Sequence, residues 1–297
     1  MQHLIAVDWG TTTLRGALVA GDGAVLEELS APDGILSVPA GGFEAVFATH
    51  FGRWQQATGA LALIAGMAGS RQGWQEAPYC ACPAGFADIA SKLHWIEPGR
   101  IALVPGLSCE ENGVPDVMRG EETQVFGALD LLGLDDAQLV LPGTHSKWVQ
   151  VVGGRIRGLR TFMTGELYAL LRHHSILART LPQSDGELDA DAFRRGLAHA
   201  RESASLLHAA FSVRTLALFE RLPPHAMPSY LSGLVIGEEL RAQSLESSTA
   251  AAVVIASPPL AARYRLALES LGIASRHVGA EAGWRGLWAI ARQLECA

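Results

Sequence analysis

Leu4-Ile5-Ala6-Val7-Asp8-Trp9-Gly10-Thr11-Thr12-Thr13-Leu14-Arg15-Gly16-Ala17-Leu18-Val19 is the stretch that decides the fold of this chain. Two apolar runs flank a turn that holds one carboxylate, one glycine and three hydroxyls, a pattern that reads as strand, tight turn, strand. Gly10 lets the backbone approach a ligand, and Thr11, Thr12 and Thr13 add hydroxyl donors. Such a loop can wrap phosphate oxygens while Asp8 addresses a hydrated Mg²⁺ as the metal-binding residue. The bland alternative is an ordinary hairpin turn, where Asp, Gly and Thr are common. The stretch is neither a P-loop, since G-x-x-x-x-G-K-[ST] is missing, nor a dinucleotide fingerprint, since G-x-G-x-x-G followed by a helix is missing.

The theme returns midway along the chain in Leu141-Pro142-Gly143-Thr144-His145-Ser146-Lys147. Here Gly143, Thr144 and Ser146 supply small and hydroxyl residues for β- and γ-phosphate oxygens, with Lys147 as a point charge. Lys92 and Lys147 are the only lysines in the sequence, so the place of one of them inside this loop adds weight. Two such loops, each between strands and each opening one half, point to a two-lobed α/β enzyme that uses ATP. The boundary falls near 133–138, giving a first lobe at 1–135 and a second at 136–297.

The totals agree with that outline. A length of 297 residues gives a soft prior of two domains, at about 150 residues each. With 49% hydrophobic and 18% charged residues the chain is globular in composition, and a net charge of −7 argues against nucleic acid as its main partner. Cys80, Cys82, Cys109 and Cys296 lack zinc spacing and read as reduced thiols. The N-terminus leads straight into a strand with no basic n-region, and no apolar run approaches the roughly 20 residues of a membrane span, so a cytoplasmic protein without membrane contact is expected.

The apolar spacing predicts strands at 3–8, 13–20 and 23–30, a helix over 43–57, a buried strand at 61–67, a helix near 84–93, a strand at 100–105 and a helix over 118–132. The second half restarts with strands near 138–141, 147–152 and 155–162, the last two joined by Gly153-Gly154 as a hairpin turn. Thr164 then caps a helix, helices at 189–221 form an insertion with Asp189 as a cap, and a further helix spans 229–244. A strand at 251–256, a helix at 260–271, a strand at 274–278 and a helix at 281–294 close the chain.

Three more places bear chemistry-competent side chains. Pro115 to Thr123 offers Asp116, Glu121 and Glu122 near a helix N-terminus, either as dipole-stabilised capping carboxylates or as a base that takes a proton from a hydroxyl attacking the γ-phosphate. Ser70-Arg71-Gln72-Gly73-Trp74 offers an arginine fork for a carboxylate and an indole that could wall a pocket, or simply an exposed loop with a core tryptophan. Ala256-Ser257-Pro258-Pro259, between a strand and a helix, could border adenosine. Leu231 to Gly237 carries small residues four apart on a helix, which close helix packing explains.

Asp8 to Thr12, Gly69 to Trp74, Val104 to Ser108, Pro115 to Gln124, Leu141 to Trp148, Thr161 to Leu167 and Tyr230 to Gly237 together resemble the 2-dehydro-3-deoxygalactonokinases, over essentially the whole chain. The runs Met118 to Gln124 and Pro142 to Trp148 look specific to that family. It sits within the sugar kinase, heat-shock protein and actin superfamily. The resemblance implies two ribonuclease-H-like lobes (the actin-like ATPase fold) with a nucleotide cleft between them, and ATP and Mg²⁺ as cofactors. It implies transfer of the γ-phosphoryl group to the C6 hydroxyl of 2-dehydro-3-deoxy-D-galactonate in galactonate degradation. Gly10–Thr13 and Gly143–Lys147 become the phosphate loops, and Ser257 lies in the adenosine turn, which here lacks the superfamily's glycines. Glu121 ranks first as base, then Asp116, then Glu122. For a sugar-acid carboxylate, Arg71 and Arg119 are the expected forks, with Arg15 next and Gln72 beside Arg71. Other readings stay open: a kinase of a related keto-deoxy sugar acid, a phosphohydrolase of the same fold, or a non-catalytic ATP-switched module. A homodimer also stays open.

Overall fold

The computed structural model describes residues 1–243, 245 and 251–295; Cys296 and position 244 of the expected 229–244 helix lie outside them. The first half contains β1 (His3–Trp9), β2 (Leu14–Ala20), β3 (Val25–Ala31), α1 (Phe43–Thr58), β4 (Leu61–Gly66), β5 (Cys80–Ala81), α2 (Phe86–Ser91), β6 (His94–Glu97), β7 (Ile101–Leu103), β8 (Leu107–Glu111), β9 (Val114–Met118) and α3 (Glu121–Leu132). The second contains β10 (Ala137–Leu141), β11 (Ser146–Val152), β12 (Arg155–Phe162), α4 (Thr164–His174), α5 (Ala190–Glu202), α6 (Leu206–Ala209), α7 (Ser212–Leu218), α8 (Met227–Gln243), β13 (Ala252–Ile255), α9 (Pro258–Glu269), β14 (Ser275–Val278) and α10 (Glu281–Gln293). The strands form sheets ordered β3-β2-β1-β4-β7-β6, β12-β11-β10-β13-β14 and β5-β8-β9.

Two compact units result. One comprises Met1–Leu139, Val149–Arg160 and Val278–Ala297; the other comprises Val140–Trp148 and Thr161–His277. This division departs from the expected halves 1–135 and 136–297, above all because the closing helix joins the first unit. The reason is local. Gly127 on α3 and Gly286 on α10 remove the side chains that would hold the helices apart. A Cβ on Gly127 would sit 1.7 Å from the Ala282 carbonyl oxygen, and one on Gly286 would sit 1.7 Å from that of Thr123.

In the first unit, β1 pairs antiparallel with β2 and parallel with β4, and Leu4 to Val7 are fully buried on both faces. That burial is what a continuous apolar run in a partly parallel sheet requires. The helical period of α1 turns Phe43, Phe47, Phe51 and Trp54 inward onto this sheet. Trp74, half-buried, packs against them, 6.1 Å from the Trp9 ring and 5.8 Å from Phe47.

β8 and β9 were not expected from the apolar pattern. They form a hairpin across Asn112 and Gly113, both with positive φ, and this moves the helix start from 118 to Glu121. Gly153 and Gly154 do form the expected two-residue turn, also with both φ positive, the conformation that suits the twist of a hairpin.

In the second unit, Val140, Trp148, Phe193, Val254 and Tyr264 build one core. α5 and α8 pack backbone to backbone: a Cβ on Gly233 would lie 2.1 Å from the Phe193 carbonyl oxygen. The small residues of α8 therefore serve helix packing. Asp189 caps α5 by accepting from the Ala192 N–H at 2.9 Å. Thr164, by contrast, is the first residue of α4 rather than its cap, and its hydroxyl points elsewhere.

Candidate active site

In the first unit, the turn between β1 and β2 spans residues 10–13 and is closed by the Gly10 N–H donating to the Thr13 carbonyl at 2.9 Å. Thr11, Thr12 and Thr13 are exposed, so their hydroxyls are available to a ligand. Asp8 is the penultimate residue of β1, with its side chain 26% exposed, and accepts from Arg15 at 2.5 Å. Arg15, a reserve candidate for the acid, is thus paired with Asp8. The other Asp8 oxygen lies beside Gly66, which has a φ of +88° and would bring a Cβ within 3.2 Å of it.

Among the described residues, no group of three or more His, Cys, Asp or Glu is arranged as a metal cage. Mg²⁺ does not need one. It keeps several waters and takes one or two carboxylates together with substrate phosphates. A single half-buried carboxylate beside exposed hydroxyls fits that donor set.

Gly66 also meets the start of α3, since a Cβ on Gly120 would fall 3.2 Å from the Gly66 Cα. Asp8 and the Arg119–Glu122 segment therefore flank the same short backbone stretch. Glu121 is half-buried at the head of α3, and its Oε2 accepts from the Arg119 N–H at 3.0 Å. Glu122 is fully buried; its Oε2 accepts from the Gly120 N–H at 2.7 Å, while Oε1 has no hydrogen-bond partner. Burial, reinforced by the charge of Glu121, pushes the Glu122 carboxyl up to about 8. Asp116 stands on β9, with Oδ1 accepting from the Val117 N–H at 2.8 Å.

The two candidate arginines differ sharply. Arg71 is 87% exposed and pairs with Glu76 at 2.9 Å, and Gln72 is exposed in the same turn. Arg119 is half-buried. It stacks its guanidinium 4.3 Å above the Tyr79 ring and donates from Nη2 to the Ala77 carbonyl at 2.9 Å. Its Nε and Nη1 are buried without a partner, and so is the Ser70 hydroxyl. A Cβ on Gly69 would sit 2.9 Å from Nη1, which places the guanidinium against the Gly69-Ser70 backbone. Buried donors left without a partner cost on the order of 1–3 kcal/mol each.

In the second unit, a cavity of about 220 Å³ is lined by Pro142 and Gly143, Thr164 and Gly165, Tyr168, Asp185, Ser232, Val235, Ile236, Leu260, Arg263 and Tyr264. Drug-sized ligands fill about 300–1,000 Å³, so this space suits a flat ring rather than a whole nucleotide. The loop and the start of α4 are bonded directly, the Glu166 N–H donating to the Thr144 carbonyl at 2.9 Å. Gly165 permits the approach, since a Cβ there would lie 2.3 Å from the Gly143 oxygen. His145 and Glu166, both with exposed side chains, pair at 2.6 Å.

One wall of the cavity is charged. Burial raises the Asp185 carboxyl, but hydrogen bonds from Arg172 and Tyr168 outweigh it and leave the group below its ordinary value.

Gly143 is half-buried and Thr144 exposed, as a ligand-facing loop requires. Ser146 is different: it is fully buried, and its hydroxyl donates to Glu239 at 2.8 Å. Lys147 is the second residue of β11, 7% exposed, with Nζ donating to Thr161 Oγ1 at 2.8 Å. Ser257 is the exposed N-cap of α9 and does not line the cavity; Leu260, Arg263 and Tyr264 of that helix do. Reading one turn further along α9 would have reached these three, which share a helical face.

A model of the 2-keto-3-deoxy-galactonokinase family matches residues 8–290. A Rhizobium meliloti (strain 1021) relative named as a probable 2-dehydro-3-deoxygalactonokinase is 37% identical over 298 residues, covering 98% of this chain and 97% of its own. The Escherichia coli (strain K12) 2-dehydro-3-deoxygalactonokinase is 36% identical over 269 residues, 90% of each chain. A crystal structure of a Sinorhizobium meliloti protein assigned the same activity superposes with a TM-score of 0.91 at 37% identity, covering 98% of this chain and 99% of that one. At 10% identity, component A of the Acidaminococcus fermentans (R)-2-hydroxyglutaryl-CoA dehydratase gives a TM-score of 0.52 over 98% of this chain and 96% of that one. That likeness speaks to fold alone, and the fold is the actin-like ATPase fold expected from the sequence.

Proposed function

The chain belongs to the 2-keto-3-deoxy-galactonokinase family, and from that premise we propose that it transfers the γ-phosphoryl group of ATP to the C6 hydroxyl of 2-dehydro-3-deoxy-D-galactonate, as a step of galactonate breakdown. It is a phosphotransferase with an alcohol acceptor. The observation that carries the substrate reading is the match to named relatives over nearly the full length of both chains.

The geometry supports specific roles within each unit. Arg119 grips the acid's carboxylate: its guanidinium keeps two donors without a partner, Nε and Nη1, which lie on different edges of the group and each offer a single charge-assisted bond. Arg71, in solvent and paired with Glu76, and Gln72 play at most an outer part in acid binding. Glu121 accepts the proton of the attacking hydroxyl. It is half-buried at the head of α3, whereas Glu122 is sealed in and protonated at neutral pH, and Asp116 belongs to the β9 strand.

Gly10, Thr11, Thr12 and Thr13 bind phosphate through the exposed turn, and Asp8 holds Mg²⁺ through water. The ion, when bound, neutralises charge that develops on the phosphoryl oxygens. In the second unit, Gly143 and Thr144 address phosphate, Lys147 supplies positive charge behind them, and the adjoining cavity takes the adenine ring. Ser146 and Ser257 act through loop and helix position, because one hydroxyl is committed to Glu239 and the other lies outside the cavity.

The test is ADP formation with a panel of keto-deoxy sugar acids, with and without Mg²⁺. Rapid turnover with the galactonate-derived acid and little with its gluconate-derived epimer supports the reading. Equal ADP formation without any acid contradicts it and favours a phosphohydrolase.

A further inference from the structure

Glu239, on α8, is 2% exposed and collects four hydrogen bonds. Its Oε1 accepts from Ser146 Oγ at 2.8 Å and from Trp148 Nε1 at 2.6 Å. Its Oε2 accepts from Tyr264 Oη at 2.7 Å and from Thr164 Oγ1. Burying a carboxylate is costly unless its lone pairs are satisfied, and here four neutral donors satisfy them. Burial first, and then the Glu239 charge, raises the Tyr264 phenol well above its ordinary value, so Tyr264 remains a donor.

The donors are not a random sample of the core. Ser146 ends the Gly143–Ser146 loop. Thr164 begins α4 and lines the cavity. Tyr264 is the α9 wall of the same cavity. Trp148 lies two residues beyond Ser146 on β11. Glu239 itself does not line the cavity.

We infer that Glu239 is the positioning residue of the nucleotide subsite, clasping the Gly143–Ser146 loop, the first residue of α4 and the Tyr264 wall into one preformed surface for ATP. This rests on the cavity being the nucleotide's. The backbone tie from Glu166 to Thr144 fixes the loop against α4 at one point; Glu239 fixes it from behind and adds α9. The arrangement is stiff because each donor comes with its own backbone element, and movement of any one leaves a buried oxygen short of a partner.

Glu239→Gln tests it. The amide keeps the shape but presents an NH₂ group to two donors. Steady-state kinetics on the full chain should show KM for ATP raised by about 10- to 100-fold, the cost of misplacing binding groups by about 1 Å, with KM for the sugar acid unchanged. Glu239→Asp, which keeps the charge on a shorter arm, should recover part of the loss. ATP should also raise the melting temperature of the variant less than that of the wild type, while the sugar acid protects both equally. If Glu239→Gln does not fold, Thr164→Val and Tyr264→Phe each remove one donor and should show a smaller split of the same sign. Equal loss of kcat/KM for both substrates, in step with lowered melting temperature, overturns the inference and leaves Glu239 a core residue. Leu260→Trp separates the two claims: if filling the cavity leaves KM for ATP untouched, the nucleotide reading falls and takes the inference with it. If it blocks ATP while Glu239→Gln shows no split, the inference alone falls.

Discussion

Replacing Glu122 by Gln should change how the protein's stability depends on pH, with a sign and size set by the burial of that side chain. In the unfolded chain this carboxyl titrates at its ordinary 4.5; in the fold, burial and the neighbouring Glu121 charge hold its proton to about 8. The folded state therefore binds more protons across that window, and stability falls as pH rises through it. At 1.36 kcal/mol for each tenfold change in proton affinity, the difference between 4.5 and about 8 amounts to roughly 5 kcal/mol in full, and to about 2.5 kcal/mol between about pH 5.5 and about pH 7.5. Gln keeps an acceptor for the Gly120 N–H and cannot ionise. Urea unfolding of both proteins at several pH values isolates the effect, since histidines and surface carboxylates titrate alike in each. The variant should gain on the wild type steadily as pH rises over this range. Two stability curves that run parallel would refute the reasoning and show that Glu122 is ionised in the fold.

Asp8→Asn should abolish turnover by about a hundredfold or more while the circular dichroism spectrum and melting temperature hold, because it removes the only charge expected to face the hydrated metal; retained activity would release Asp8 from that role. Arg119→Met should raise KM for the sugar acid by about 10- to 100-fold, the value of a charge-assisted pair at about 1.5–3 kcal/mol, and Arg119→Lys should rescue little because an ammonium does not keep the stacking on Tyr79 and the bond to Ala77 that hold the planar guanidinium in place. Arg71→Ala, at an exposed site, should change that KM by less than about fivefold, since exposed pairs contribute about 0–1 kcal/mol. Leu260→Trp should weaken ATP binding in isothermal titration without altering acid binding, as its indole enters the 220 Å³ cavity.

Strand pairs joined by tight turns were legible because their signals are local. Asp8 to Thr13 and Gly153-Gly154 both form turns between antiparallel strands, and the apolar period of α1 turns Phe43, Phe47 and Phe51 inward. The β8–β9 hairpin was also written locally, in Asn112-Gly113, but its strands carry Glu, Asp and Pro and lack apolar alternation. Missing it put Asp116 at a helix start instead of on a strand.

The site was harder to read. Arg119 could be ranked only by residue type; that its Nε and Nη1 are buried and empty depends on Ala77 and Tyr79, about forty positions away. Glu239 left no trace at all. Its four donors lie 25 to 93 positions distant, and a glutamate within a helix is unremarkable until tertiary packing surrounds it. The docking of α10 was hidden for a similar reason: a close approach of Gly127 and Gly286 across more than half the sequence decides it.

The destination of the phosphoryl group tests the central claim most directly. Proton-coupled ³¹P NMR of a reaction containing ATP, Mg²⁺ and 2-dehydro-3-deoxy-D-galactonate should show a monoester signal split into a triplet by the two C6 protons, growing in step with ADP. Inorganic phosphate as the product, or a doublet from a secondary carbon, would contradict it.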